Sequence, residues 1–136
     1  FKSVSELRLI KGVDDKKFNA LLPYLTALPE VTAININAAS LKILESLSTD
    51  IDQNKAQQIM SFIEENSITS RKELNELSKK MNLPVQILTF ESQFFLSQSL
   101  VQTERLTLKN YTILKRVQKK FKDPTVQLVW ESLNTL

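Results

Sequence analysis

Before Pro84 the apolar residues recur at helical spacing, and after it they begin to alternate. Ser3 and Glu6 have capping-box spacing ahead of Leu7, Leu9 and Ile10, and Gly12 falls where that short helix should stop. A second helix fits Asp14 to about Leu22, with acidic residues at its positive end and Phe18, Leu21, Leu22 and Leu25 on one face. The stretch Leu28 to Asn37 reads as extended from its Pro and β-branched content. Asn37 or Ser40 can then cap a helix running through Leu47. Asp52 caps a further helix with Ala56, Ile59, Met60, Phe62 and Ile63 at helical spacing, ended by Asn66. Ser70 with Glu73 opens a fifth, carrying Leu74 and Leu77, which must end near Asn82 and Pro84.

Past Pro84, the runs Gln93 to Val101, Leu106 to Val117 and Thr125 to Trp130 are rich in Phe, Val, Leu, Ile, Tyr and Thr. Their alternation would place Val126, Leu128 and Trp130 on one face and Thr107, Lys109 and Gln127 on the other. Three antiparallel strands are expected, turning around Thr103-Glu104-Arg105 and Lys122-Asp123-Pro124. Helices followed by strands make an α+β chain. The expected division is a helical subdomain over residues 1–84 and a strand-rich part over 85–136. A three-stranded meander is marginal by itself and needs a covering element. A faint echo of Phe1-Lys2-Ser3-Val4-Ser5-Glu6-Leu7 in Ile68-Thr69-Ser70-Arg71-Lys72-Glu73-Leu74 is compatible with two related helical hairpins.

Composition mainly excludes. The 136 residues contain no Cys and no His, which removes disulfides, thiolate chemistry, zinc-thiolate sites and the commonest general base. No apolar run approaches the roughly 20 residues that span a bilayer. The net charge of +3 is uneven: residues 1–84 carry 11 basic and 11 acidic side chains, residues 85–136 carry 7 and 4. No nucleophile elbow, phosphate loop or Ser-x-x-Lys set is present, so no catalytic residue is assigned and the chain is not expected to be an enzyme.

Thr32 to Leu47, followed by Lys55-Ala56-Gln57-Gln58-Ile59 and Lys72-Glu73-Leu74, resembles the helix-hairpin-helix, SAM-like module of bacterial DNA-uptake proteins and of minor pseudopilin K. The DNA-binding form offers a glycine hairpin to a phosphate at a helix N-terminus. Here Leu47 to Asn54 holds no Gly and two carboxylates, Asp50 and Asp52, which repel a phosphate. Gly12 lies in a hairpin that runs straight into Asp14 and Asp15. Nucleic acid is therefore not an expected partner, and a DNA-uptake protein is the second reading.

The resemblance to the minor pseudopilin K family of type II secretion systems rests on three stretches in order: Ser5 to Val13, Ala27-Leu28-Pro29 with the Asn35-x-Asn37 segment, and Ser92 to Leu96. It implies a helical subdomain inserted into a pilin-like α/β domain and no cofactor. It further implies a place with other minor pseudopilins at the tip of a pseudopilus, helping to initiate assembly and in reach of secreted proteins. The family's membrane-anchoring N-terminal helix and first strands are missing from this sequence, so it reads as the periplasmic piece of an inner-membrane-anchored protein. Some pseudopilins carry structural calcium; Asp14 with Asp15, Asp50 with Asp52, and Glu64 with Glu65 are the only carboxylate groupings, and none has the loop pattern calcium needs. Leu7, Leu9, Gly12 and Asn37 are the residues expected to maintain the inserted module. The basic residues Lys115, Arg116, Lys119, Lys120 and Lys122 read as a solvated strand end. The aromatics Phe90, Phe94, Phe95, Tyr111, Phe121 and Trp130 read mainly as core.

Overall fold

A computed structural model describes residues 3–119 and 122–133. The chain divides into two compact units, one of residues 29–92 and one of residues 1–28 together with 93–136. The division expected after residue 84 falls instead after Ser92. The reason lies in Leu88 and Phe90: Leu88 is buried in the helical core, and Phe90 packs against that core. The first 28 residues also group with the strands and not with the helices.

In the 29–92 unit, α2 (Leu41–Ser46), α3 (Gln53–Glu65) and α4 (Arg71–Met81) surround one core. Their starts follow from capping. The Asp52 carboxylate accepts from the Lys55 N–H at 2.8 Å, and the Ser70 hydroxyl accepts from the Glu73 N–H at 3.3 Å. Asn82 closes α4 in the left-handed conformation, φ 52°, just ahead of Pro84. Ala56, Ile59 and Ile63 of α3 and Leu74 and Leu77 of α4 are buried with Ile36, Leu44, Ile51, Ile68 and Leu88. Of the extended stretch expected over Leu28 to Asn37, only β1 (Ile34–Asn35) is a strand; it pairs in parallel with β2 (Leu88–Thr89).

The other unit begins with a 3-10 helix, Val4–Leu9, where an α-helix was expected. Ser3 Oγ accepts from the Ser5 N–H at 3.2 Å, which favours the tighter turn. The left-handed Gly12, φ +92°, follows it. Helix α1 (Asp15–Leu21) starts at the Asp14 cap, but gives way at Pro23 to a 3-10 turn, Leu22–Tyr24. The change of period breaks the expected apolar face: Phe18 is buried, while Leu21, Leu22 and Leu25 are exposed.

Strands β3 (Phe94–Gln102), β4 (Thr107–Lys119) and β5 (Lys122–Leu133) form an antiparallel sheet in that order. The Thr103 N–H donates to the Leu106 carbonyl at 2.8 Å across the first turn. The second turn does not lie at Lys122-Asp123-Pro124, since β5 already begins at Lys122 and pairs it with Lys119. Residues 120 and 121, and with them Phe121 and Lys120, fall outside the described residues. A register shift pairs Ile113 with Trp130 but Leu114 with Leu128, leaving Val129 as the extra residue of a bulge. Ile113 and Leu114 point to opposite faces, so Trp130 is turned away from Leu128 rather than sharing its face as the alternation suggested.

Candidate interaction surface

The candidate phosphate hairpin is occupied by the chain itself. Asp52 places its carboxylate on the N-terminus of α3, satisfying the amide that an anion would seek, and Ile51 beside it is buried. At the glycine hairpin, Lys17 Nζ donates to the Gly12 carbonyl at 2.7 Å and sits 3.5 Å from Asp14, whose own carboxylate caps α1 through the Lys17 N–H. At each hairpin a carboxylate of the chain itself caps the helix that follows.

The residues expected to maintain the helical module separate. Asn37 lies in a short 3-10 turn, Ile36–Ala38, and does not cap α2. Its Nδ2 donates to the carbonyls of Ile68 (2.8 Å) and Phe90 (3.1 Å), and its Oδ1 accepts from the Ile68 N–H (3.0 Å). One amide thus joins three parts of the 29–92 unit. Asn35 adds a bond from Nδ2 to Ser92 Oγ at 2.9 Å. Leu7 is half-buried, Leu9 is 85% exposed and Gly12 has open space around it, and all three lie in the other unit. A packing role for Leu9 is therefore excluded.

The carboxylate pairs make no metal centre: among the described residues no three Asp or Glu side chains converge. The carboxyl of Glu73 is held below its ordinary value chiefly by the Thr69 N–H, which donates at 2.8 Å, with the Ser70 and Thr69 hydroxyls adding to it. That is a helix-cap geometry. A shallow groove of about 480 Å³ lies beside it, between Phe62, Ile68, Glu73, Leu77 and Lys80.

The basic residues of β4 do not form one patch. Lys115 lies over the Phe94 ring at 5.5 Å and Arg116 over the Phe95 ring at 5.9 Å, on opposite faces of the sheet. The aromatics split in the same way. Phe94, Tyr111 and Trp130 share one face, and Phe95 lies on the other.

What the sheet does present is apolar surface on both sides. The register places Phe95, Val101, Leu108, Leu114, Val126, Leu128 and Leu133 on one face, and Phe94, Leu96, Leu100, Ile113, Val117 and Trp130 on the other. None of the described side chains of β3, β4 or β5 is buried. Uncovered apolar area on this scale marks a surface that meets another protein element. The alternation of the strand runs was readable in the sequence; the face of Trp130 was not, because it depends on the bulge at Val129.

No protein-family model matches the chain. Over 60 residues, 44% of this chain and 17% of the relative, it is 42% identical to the type II secretion system protein K of Pseudomonas aeruginosa. A chain in the crystal structure of the GspK-GspI-GspJ complex of the enterotoxigenic Escherichia coli type 2 secretion system has a similar fold. There the TM-score is 0.66, the identity 21%, and the match covers 100% of this chain and 49% of that one. The chain thus spans only part of each relative. It resembles type II secretion system protein K in sequence over those 60 residues and shares, along its whole length, the fold of a chain from the GspK-GspI-GspJ complex.

Proposed function

We propose that the chain is the periplasmic part of a minor pseudopilin of the K type, acting by association and not by catalysis. The observation that carries this reading is the 42% identity to a type II secretion system protein K, with the fold similarity over the full chain in agreement. In this reading the 29–92 unit is a helical insertion in a pilin-like α/β domain. The partners are other minor pseudopilins, as in the complex to which the fold is similar. The complex forms the pseudopilus tip and helps to start its assembly, and secreted proteins are candidates for contact with it. The parent protein is held in the inner membrane by a helix outside this sequence; among the described residues no helix is long and apolar enough to cross a membrane.

The chemistry supports an associative role. A sheet with apolar residues on both faces gains from being covered, at roughly 25 cal/mol for each Å² removed from water. Titration of the chain against the soluble domains of the partner minor pseudopilins, with duplex DNA at low salt in parallel, tests the reading. Saturable association with the pseudopilins and no DNA binding is the expected result. Salt-sensitive DNA binding without pseudopilin association would overturn it and support the DNA-uptake reading.

A further inference from the structure

An asparagine side chain can react with the backbone nitrogen of the residue after it, and a fold slows that reaction wherever it engages either group. Most asparagines of this chain are held in that way. Asn19 and Asn75 lie inside α1 and α4 and Asn110 inside β4, where the following N–H belongs to a helix or a ladder. The N–H after Asn54 donates to the Asp52 carboxylate at 2.8 Å, and the N–H after Asn82 donates to the Ser78 carbonyl at 2.9 Å. Asn35 is tied through its side chain to Ser92, and Asn37 to Ile68 and Phe90.

Among the described residues Asn66 is the exception. It is exposed at the end of α3, and the segment from Ser67 to Thr69 is neither helix nor strand. The Ser67 N–H makes no hydrogen bond within the described chain. Asn66 Nδ2 reaches only the Phe62 carbonyl, at 3.3 Å, longer than an ordinary N–H···O bond. The side chain of Ser67 is small and unbranched, so its nitrogen is open to approach.

We infer that Asn66-Ser67 is a site of spontaneous covalent modification, at which the chain deamidates itself and thereby loosens the helical unit with time. The Ser67 backbone nitrogen attacks the Asn66 side-chain carbonyl carbon. The N–Cγ bond forms, the Cγ–Nδ2 bond breaks, and the proton of the Ser67 N–H leaves with the amide group as ammonia. Closing this five-membered succinimide needs rotation about the Asn66 Cα–C bond from its ψ of 82°, and no backbone bond at Ser67 opposes it. Water, the one co-reactant, then opens either carbonyl. Opening at the side-chain carbonyl gives aspartate, and opening at the backbone carbonyl gives isoaspartate.

Both products disturb the same place. Each puts a third carboxylate after Glu64 and Glu65 at the negative end of α3 and takes the Nδ2 donor away from the Phe62 carbonyl. Isoaspartate also adds a methylene to the backbone two residues before Ile68, which is buried and held by Asn37 at both its N–H and its carbonyl. The inference concerns the 29–92 unit alone and does not rest on the pseudopilin reading.

The test is incubation of the whole chain at mildly alkaline pH, with peptide mapping by mass, where each event adds about 1 Da. Modification at Asn66 should run roughly tenfold faster than at any other described asparagine, because only there is the following N–H unengaged. It should give two products of equal mass with isoaspartate in excess, and should quicken as pH rises, since the attacking nitrogen reacts as its anion. In concentrated urea the other N–H groups are released, and the lead of Asn66 should shrink several-fold. The aged chain should show a lower denaturant midpoint by helical circular dichroism. Asn66→Gln, whose longer side chain closes its ring far more slowly, should keep both mass and midpoint constant. Asn66→Asp should reproduce only part of the loss, because it supplies the charge without the added methylene. Even modification across the asparagines, a lead undiminished in urea, or aspartate without isoaspartate would overturn the inference. So would a modified chain whose midpoint equals that of the fresh protein.

Discussion

The 29–92 unit and the three-stranded sheet use comparable amounts of apolar sequence in opposite ways. The helical unit turns its apolar residues inward around Ile36, Leu44, Ile59, Leu74 and Leu88, all of them fully buried. The sheet spreads its apolar residues over two faces and buries none of those described. A helix concentrates apolar positions on one stripe, which three helices can close upon; a strand divides its positions between two sides, and a lone sheet cannot cover both. The first unit closes a core of its own, whereas the described strands leave their apolar side chains exposed or half-buried.

Leu74→Ala should break the contrast most severely if the helical unit were less self-contained than it looks. Leu74, near the start of α4, is fully buried, and its truncation should cost about 2–5 kcal/mol. The only Trp, Trp130, lies in the sheet, and residues 29–92 contain neither Trp nor Tyr. Denaturant unfolding can therefore be followed by helical circular dichroism for one unit and by indole fluorescence for the other. The dichroism midpoint should fall sharply while the Trp130 transition moves little. Equal shifts in both would show that the units share one stability.

Asn37→Ala comes next, with an expected loss of about 1–2 kcal/mol in the same dichroism transition, because the N–H and carbonyl of the buried Ile68 would lose their partner. A loss no greater than that of a neighbouring exposed substitution such as Ala38→Ser would show that water replaces the amide. No local signal in the sequence points to this role. Asn37, with Ser40 as the alternative, suggested a helix cap because caps are recognised from the next few residues, whereas the partners of Asn37 lie 31 and 53 residues away.

The parts that were legible have local causes. Asp14, Asp52 and Ser70 each cap the helix that follows, and Asn82 closes α4, because capping is a contact within one turn. The strand runs were legible from alternation, and so was the first hairpin turn. What escaped depends on insertion or distance. The single extra residue Val129 reverses the face of Trp130 without disturbing the composition, and the pairing of β1 with β2 draws the unit boundary past Pro84. The candidate surface was harder to read for the same reason: which β5 residues join each apolar face is fixed only by the register.

The acid limb sharpens the comparison at a finer scale. Glu73 is ionised more readily in the folded chain than its ordinary value of 4.5 implies, mainly through the Thr69 N–H. Because its folded value is depressed, its contribution to stability is present above the unfolded value and lost as pH falls through the folded one. The helical unit should therefore lose stability below about pH 4.5, and Glu73→Gln should flatten that part of the pH dependence of the dichroism transition. An unchanged slope would show that the cap does not titrate with folding.

The smallest effect is expected where the sequence is just as apolar. Val126 is 70% exposed and Leu128 is 56% exposed, on a strand whose neighbours leave them uncovered. Leu128→Ala should therefore change the unfolding of the chain alone by less than about 0.5 kcal/mol, against several for the same truncation at Leu74. The two residues are chemically identical, so the ratio of their effects measures how much covering the chain supplies to each region. A cost at Leu128 approaching that at Leu74 would mean that the sheet is already packed within this chain, and its two apolar faces would no longer call for a partner. A negligible cost in the chain alone, joined to a measurable loss of affinity for the partner pseudopilins, would place the energy of Leu128 in assembly and not in folding.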